Sequence, residues 1–187
     1  MMRIALSLIV SVMLTLAGRA FGDEQNPAAT PAAPTTRPSA LSAVAPFVGG
    51  EWRIKATWAG GNPLEARAIY DWGLNKKFVV AKTFVKLPEG GEYQRYETIF
   101  GDDKGQLMSY GFTFNGEVHV LPMAVDGRTI SDEWTVDGEN GSVRIKQRIE
   151  LLDDNHFHWQ VWSAAAGADW KPMMDGTWVR GAASAKK

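Results

Sequence analysis

Between Leu41 and Arg180 apolar and polar side chains alternate with period two, and turn residues break the alternation at intervals of about 8 to 12 positions. Successive side chains of a strand point to opposite faces, so the pattern predicts a series of about ten half-buried strands. The first run sets Trp52, Ile54, Ala56 and Trp58 against Arg53, Lys55 and Thr57, and the second sets Leu64, Ala66, Ala68, Tyr70 and Trp72 against Glu65, Arg67 and Asp71. A third, Phe78 to Val85, is apolar on both faces apart from Lys82, and a fourth spans Glu92 to Phe100. The fifth places Met108, Tyr110, Phe112 and Phe114 opposite Ser109, Gly111 and Thr113, with the aromatic set expected inside. Asn115-Gly116 and Asp126-Gly127 are two-residue hairpin signals around Val118 to Met123, because these residues tolerate positive φ. Thr129 to Val136 follows, carrying Trp134. Next comes the clearest alternation of all, Val143, Ile145, Gln147, Ile149 and Leu151 against Arg144, Lys146, Arg148 and Glu150. Phe157, Trp159 and Val161 mark the ninth run, and the tenth is Trp170 to Arg180.

Helical signals are confined to Ser39 through Phe47, where Ser39 can cap a single turn before Pro46 and Gly49-Gly50 intervene. With no helix long enough for a crossover and nine short connections, consecutive strands are expected to be spatial neighbours. Closing such a meander removes its two exposed edges. The predicted fold is all-β: one antiparallel up-and-down barrel of about ten strands, preceded by a short helical turn.

The ends of the chain differ in character. Met1-Met2-Arg3, an apolar run from Ile4 to Ala17 and small residues near Ala20 or Gly22 read as a signal peptide over 1–22. The apolar run is shorter than the roughly 20 residues needed to span a bilayer, so no stable membrane insertion is expected after cleavage. Residues 23–40 are rich in Pro, Ala and Thr and bury too little to offset the entropy of ordering, which predicts a mobile tether; 181–187 reads the same way. The domain proper is then 41–180, in a chain of 187 residues with 45% hydrophobic and 22% charged side chains, the composition of one soluble core. There are no cysteines, so an exported chain of this kind relies on packing and carries neither disulfides nor a lipid-bearing Cys. Without 1–22 the formal charge is −3, and Lys and Arg are interspersed with Asp and Glu, which speaks against a nucleic-acid partner.

Phe47-Val48-Gly49-Gly50-Glu51-Trp52 resembles the start of a calycin barrel, in which a helical turn leads into a Gly-x-Trp at the head of the first strand. Trp178-Val179-Arg180 is similar to the lipocalin ending, where an Arg packs across that Trp. Ala68-Ile69-Tyr70-Asp71-Trp72, the turn Gly101-Asp102-Asp103, and Met174 ahead of Trp178 and Arg180 resemble a bacterial family of lipocalin-like barrels of unknown function. The resemblance implies a structural role for Gly50, Trp52 and Arg180 in closing the barrel. Two departures matter. Ala59-Gly60-Gly61-Asn62 leaves no room for the helical lid of fatty-acid-binding barrels, and Arg53-Ile54-Lys55 after Trp52 departs from the signature of the haem-binding nitrobindin group, so no cofactor is expected.

The candidate chemistry is sparse. His156 and His158 share a strand face, a spacing that can chelate a metal, but Phe157 and Trp159 claim the interior, and no metal site is expected. His119 is the histidine placed to point inward. Asp102-Asp103 and Asp153-Asp154 lie in turns, while Asp132-Glu133 straddles a strand and cannot act as a pair. No nucleophile elbow, phosphate loop or zinc-protease motif is present, and no catalytic residue is assigned. Asn140-Gly141-Ser142 matches a glycosylation acceptor but is first a turn signal. What remains is aromatic richness, 8 Trp, 8 Phe and 4 Tyr, much of it in the apolar phase of the strands. Tyr70, Trp72, Tyr110, Phe112, Trp134 and Trp159, with Lys82 and Gln147 as polar members, are the expected cavity lining. Side chains fill small barrels whereas larger ones enclose ligand space, so a filled core and a cavity for a small hydrophobic ligand both stand at this point. The sequence predicts an exported, secreted or periplasmic binding protein. The alternative is a non-enzymatic envelope module that meets an unidentified protein partner.

Overall fold

The computed structural model describes residues 39–138 and 141–181. The leader expected at 1–22, the Pro-rich segment as far as 38, Asn140 of the possible glycosylation acceptor and the tail from 182 lie outside the described residues. Two 3₁₀ turns, Ala40–Ala43 and Ala45–Phe47, precede ten strands: β1 (Glu51–Thr57), β2 (Pro63–Gly73), β3 (Phe78–Lys86), β4 (Glu92–Asp103), β5 (Gln106–Thr113), β6 (Val118–Asp126), β7 (Thr129–Gly138), β8 (Gly141–Leu151), β9 (His156–Ala165) and β10 (Lys171–Gly181). Each strand pairs antiparallel with its sequence neighbours, and β1 also pairs with β10 through Glu51–Gly181, Trp52–Arg180 and Arg53–Val179, so the barrel is closed.

One end of the barrel is sealed by the segment that enters it. Ser39 caps the first turn, its hydroxyl accepting from the Leu41 amide at 3.3 Å, and the Asp102 carboxylate at the end of β4 accepts from the Ser39 hydroxyl (2.8 Å) and the Ala40 amide (2.7 Å). Held there, the turns bury Leu41, Val44 and Phe47 against the core. The Phe47 ring lies 5.9 Å from Trp52, 5.5 Å from Tyr70 and 5.1 Å from Phe157, in tilted or edge-on arrangements that aromatic quadrupoles favour. Trp52 is fully buried and donates its indole N–H to the Phe47 carbonyl at 2.8 Å. Arg180 lies over the Trp52 ring, 4.3 Å from its centroid, and donates to the carbonyls of Val48 (3.2 Å), Gly49 (2.5 Å), Asp154 (2.9 Å) and Pro46. Gly50 has φ +77°, and a Cβ there would come within 3.1 Å of Arg180 Cγ, which is why the Gly-x-Trp begins with glycine. The space left among Val44, Phe47, Tyr70, Phe100, Met123, Ile130 and Ile149 is about 10 Å³, too small for a ligand.

Burial and register together define the inner phase of each strand. β1 turns Trp52 and Ile54 inward, β2 Ala66, Ala68 and Tyr70, β3 Val79 and Ala81, β4 Thr98 and Phe100. Gly176 of β10 faces Ile54, whose Cδ1 would be 2.8 Å from an added Cβ, so the absence of a side chain there lets β10 close onto β1. Two expectations are corrected at this point. β5 faces the other way: Leu107 and Ser109 are buried while Tyr110 and Phe112 are exposed, because Ser109 pairs with inward Phe100 and Leu107 with inward Met123. Lys82 also points outward, pairing with Glu97 across β3 and β4 at 3.9 Å, since its neighbours Ala81 and Thr83 hold the inner positions.

The ladder between β6 and β7 is short. It comprises Ala124–Ser131, Val125–Ile130 and Asp126–Thr129, next to the turn, whereas β7 pairs with β8 along its whole length from Thr129–Glu150 to Gly138–Gly141. The barrel wall is therefore parted between Val118–Met123 of β6 and residues 132–138 of β7.

Candidate functional site: the open half of the barrel

At the end away from the turns, the inward-facing side chains of β3, β4 and β6 to β8, with Trp159 of β9, include several that are only half-buried, whereas Leu64, Val161 and Met174 on the β2, β9 and β10 side of the same end are buried. Thr83, Thr98, Leu121, Trp134, Ile145 and Trp159 all belong to the inner phase, yet each retains accessible surface, in contrast to the buried Ile54, Val79, Phe100 and Phe157 nearer the sealed end. This accessibility is the mark of a lumen that water reaches. Its walls are mixed: indole and aliphatic surface from β6, β7, β8 and β9 faces small hydroxyl-bearing residues of β3 and β4.

A polar relay crosses the inner wall. Asp132, Gln147 and Trp159 follow one another on β7, β8 and β9, because Asp132 pairs with Gln147 and Gln147 with Val161 in the antiparallel register. The Trp159 indole donates to Gln147 Oε1 at 3.0 Å, and Gln147 Nε2 donates to Asp132 Oδ2 at 3.0 Å. Asp132 is 7% exposed, and its second oxygen, Oδ1, is buried with no hydrogen-bond partner. Burial pushes its pKa up to about 6, with the Gln147 bond pulling the other way. An unmet buried acceptor is costly, which makes this carboxylate the most demanding group in the lumen.

The expected cavity residues fall into three sets. Trp134, Gln147 and Trp159 line the open half. Tyr70 and Trp72 face inward but pack against the sealed end, Tyr70 stacking on Phe100 at 6.4 Å, and desolvation raises the Tyr70 phenol pKa. Lys82, Tyr110 and Phe112 are on the outer surface. Gly50, Trp52 and Arg180 form the closure described above. His119 has the inner phase of β6 beside Gly111 and lies 3.8 Å from Glu117. His156 and His158 point outward onto separate carboxylates, Asp153 at 2.9 Å and Asp175 at 2.7 Å. Sequence reasoning passed over Asp132 as half of an unproductive pair. Its signal was a lone acid between Ile130 and Trp134 in the inner phase.

A second concavity lies along β4 and β5 near the open rim, lined by residues of both phases. A bulge leaves Arg95 out of the β3–β4 register, and beside it Gln94, Tyr96, Glu97, Ile99, Phe112 and Phe114 border an open groove of about 430 Å³. Arg95 is held there by the hydroxyls of Tyr93 (2.8 Å) and Tyr96 (3.1 Å) and lies 5.3 Å from the Phe114 centroid. Across β5 and β6, Tyr110 pairs with Val120 and Phe112 with Val118, all four exposed.

A closed antiparallel barrel with ten strands, plugged by a helical turn at one end, has the architecture of a calycin-like barrel. Among solved structures the chain is similar to Rv2717c from M. tuberculosis, with 14% identity, 76% of this chain and 97% of that chain covered, and a TM-score of 0.51. At that identity the likeness concerns the fold. No protein-family model and no curated protein matches the chain.

Proposed function

We propose that this chain is an exported lipocalin-like protein, related to the bacterial lipocalin-like barrels its motifs resemble, that binds a small hydrophobic molecule in the open half of its barrel. The observation that carries this reading is the partial exposure of inward-facing apolar and indole surface at Leu121, Trp134, Ile145 and Trp159, beyond a sealed end that is tightly filled. Apolar walls with few placed polar groups are what small-molecule sites require. The signal-like residues 1–22 support export. Titration with lipophilic fluorophores, followed through tryptophan emission, tests the reading: saturable quenching through Trp134 and Trp159 is expected, and no quenching by any member of the panel would sink it.

A second reading is an envelope interaction module, favoured by the exposed pairs Tyr110–Val120 and Phe112–Val118 on the outer face of β5 and β6. Under it, Phe112→Ser abolishes capture of a partner from the native envelope while fluorophore binding is unaffected. Capture that survives this change removes the reading.

A further inference from the structure

The parted seam and the unmet oxygen of Asp132 meet at one place. The β6–β7 ladder ends at Ala124–Ser131, so Asp132 is the first residue of β7 beyond it. Continued, that register would set Met123 against Asp132 and Leu121 against Trp134; instead β6 and β7 part there, leaving edges without a ladder partner across the gap. Asp132 thus lies at the apex of a wedge in the wall, inward-facing, more than nine-tenths buried, with Oδ1 unbonded.

Its surroundings select the chemistry it can accept. Gln147 and Trp159, its hydrogen-bonded chain, are neutral. Among the described residues, no lysine or arginine occupies the inner phase of β2, β3, β5, β7, β8 or β9. Of the basic groups on the other strands, Lys171 of β10 pairs in register with Ser163 of the inner phase but is exposed at the open rim, Arg180 lies on Trp52 at the sealed end, Arg95 is bonded to two tyrosine hydroxyls at the β4 bulge, and His119 is beside Glu117 near the start of β6. Asp132 Oδ1 is therefore a free acceptor on a negative group with which none of these basic side chains pairs. With a pKa near 6 the carboxylate is largely ionised at neutral pH, so its desolvation is already part of the protein's own free energy. A cation gains from it, and an anionic headgroup is repelled.

We propose that the molecule taken up by the open half of the barrel is apolar and ends in a primary ammonium group, which lies against Asp132 Oδ1 at the apex of the β6–β7 seam. The inference rests on the lumen-binding reading above. Contact with Oδ1 requires the half-buried Leu121 and Trp134, on either side of the seam, to move apart, and the missing ladder bonds leave them free to do so.

Competition separates the two claims. Decylamine, decanol and decanoate, each below its micelle-forming concentration, are titrated against bound N-phenylnaphthylamine, for the wild type and for Asp132→Asn, which keeps the shape and the Gln147 bond. Decylamine is expected to displace the probe from the wild type at least about tenfold more effectively than decanoate, and Asp132→Asn should bring the ratio to within about threefold while decanol is unchanged. Equal displacement by amine and carboxylate in the wild type, or an amine preference that survives Asp132→Asn, overturns the ammonium site while displacement by decanol keeps the lumen reading. Absence of binding by the probe and by all three competitors overturns both. Should Asp132→Asn lose decanol binding as well, the wild-type ratio decides.

Discussion

Asp132 has one carboxylate oxygen on Gln147 and the other buried without a partner, and burial raises its pKa from 3.8 to about 6. The folded protein then binds this proton more tightly than the unfolded chain does. The stability contributed by the group is fully present below about pH 3.8 and is lost as pH rises through about 6. The difference corresponds to about 3 kcal/mol as an order of magnitude. Asp132→Asn should therefore be more stable than the wild type by about 1–3 kcal/mol at pH 7.5 in urea denaturation, and the gain should vanish near pH 4. Carboxylates with lowered pKa values, such as Glu92 beside Arg67 and Asp175 beside His158, act in the opposite sense but are common to both proteins and cancel in the comparison. A variant less stable at both pH values would remove the unmet-oxygen account. Arg180 is the other residue with a decisive role: Arg180→Met keeps the aliphatic stem but loses four carbonyl partners and the indole contact, and should cost about 2 kcal/mol or more in the same assay. That role was legible in the sequence from the Gly50-x-Trp52 and Trp178-x-Arg180 motifs. The role of Asp132 was not, because whether a buried acid keeps a partner depends on the neighbouring strand's register.

At the scale of elements, the strands were readable wherever Gly, Asn or Asp marks a turn between alternating runs, and the short turn before β1 was readable from Ser39 and Pro46. The face of β5 was misread for a physical reason. Periodicity distinguishes the two sides of a strand but does not say which is inside, and the larger aromatic set won the argument from hydrophobicity alone. In the barrel the neighbours decide: Phe100 of β4 and Met123 of β6 bring Ser109 and Leu107 inside, and Gly111 continues that inner row. Two substitutions on this one strand test the assignment by thermal or urea unfolding. Leu107→Ala should cost about 2–5 kcal/mol by leaving a core cavity, whereas Phe112→Ser should change stability by no more than about 0.5 kcal/mol. The reverse order would mean that β5 presents its aromatic face to the core after all. The β6–β7 seam was likewise out of reach of the sequence, since Val118–Met123 and Thr129–Val136 both read as ordinary paired strands.

The barrel divides into a sealed half packed to exclusion and an open half in which part of the inner wall meets water. Closure itself was legible from the count of short connections and the need to remove edges; the division was not, because it arises from where the entering turn inserts Leu41, Val44 and Phe47. The central claim is that the open half takes an apolar molecule, and Gly111 allows it to be tested at one position. Gly111 faces the lumen, and an added Cβ would come no closer than 3.9 Å to His119, so Gly111→Phe can project a ring into the lumen without disturbing the wall. The measurement is the equilibrium titration of N-phenylnaphthylamine into the wild type and Gly111→Phe, with the urea midpoint of each as a check on folding. The account predicts saturable one-to-one binding by the wild type and a loss of at least about tenfold in Gly111→Phe at an unchanged midpoint. Equal binding by the two folded proteins, or none by the wild type, would contradict it.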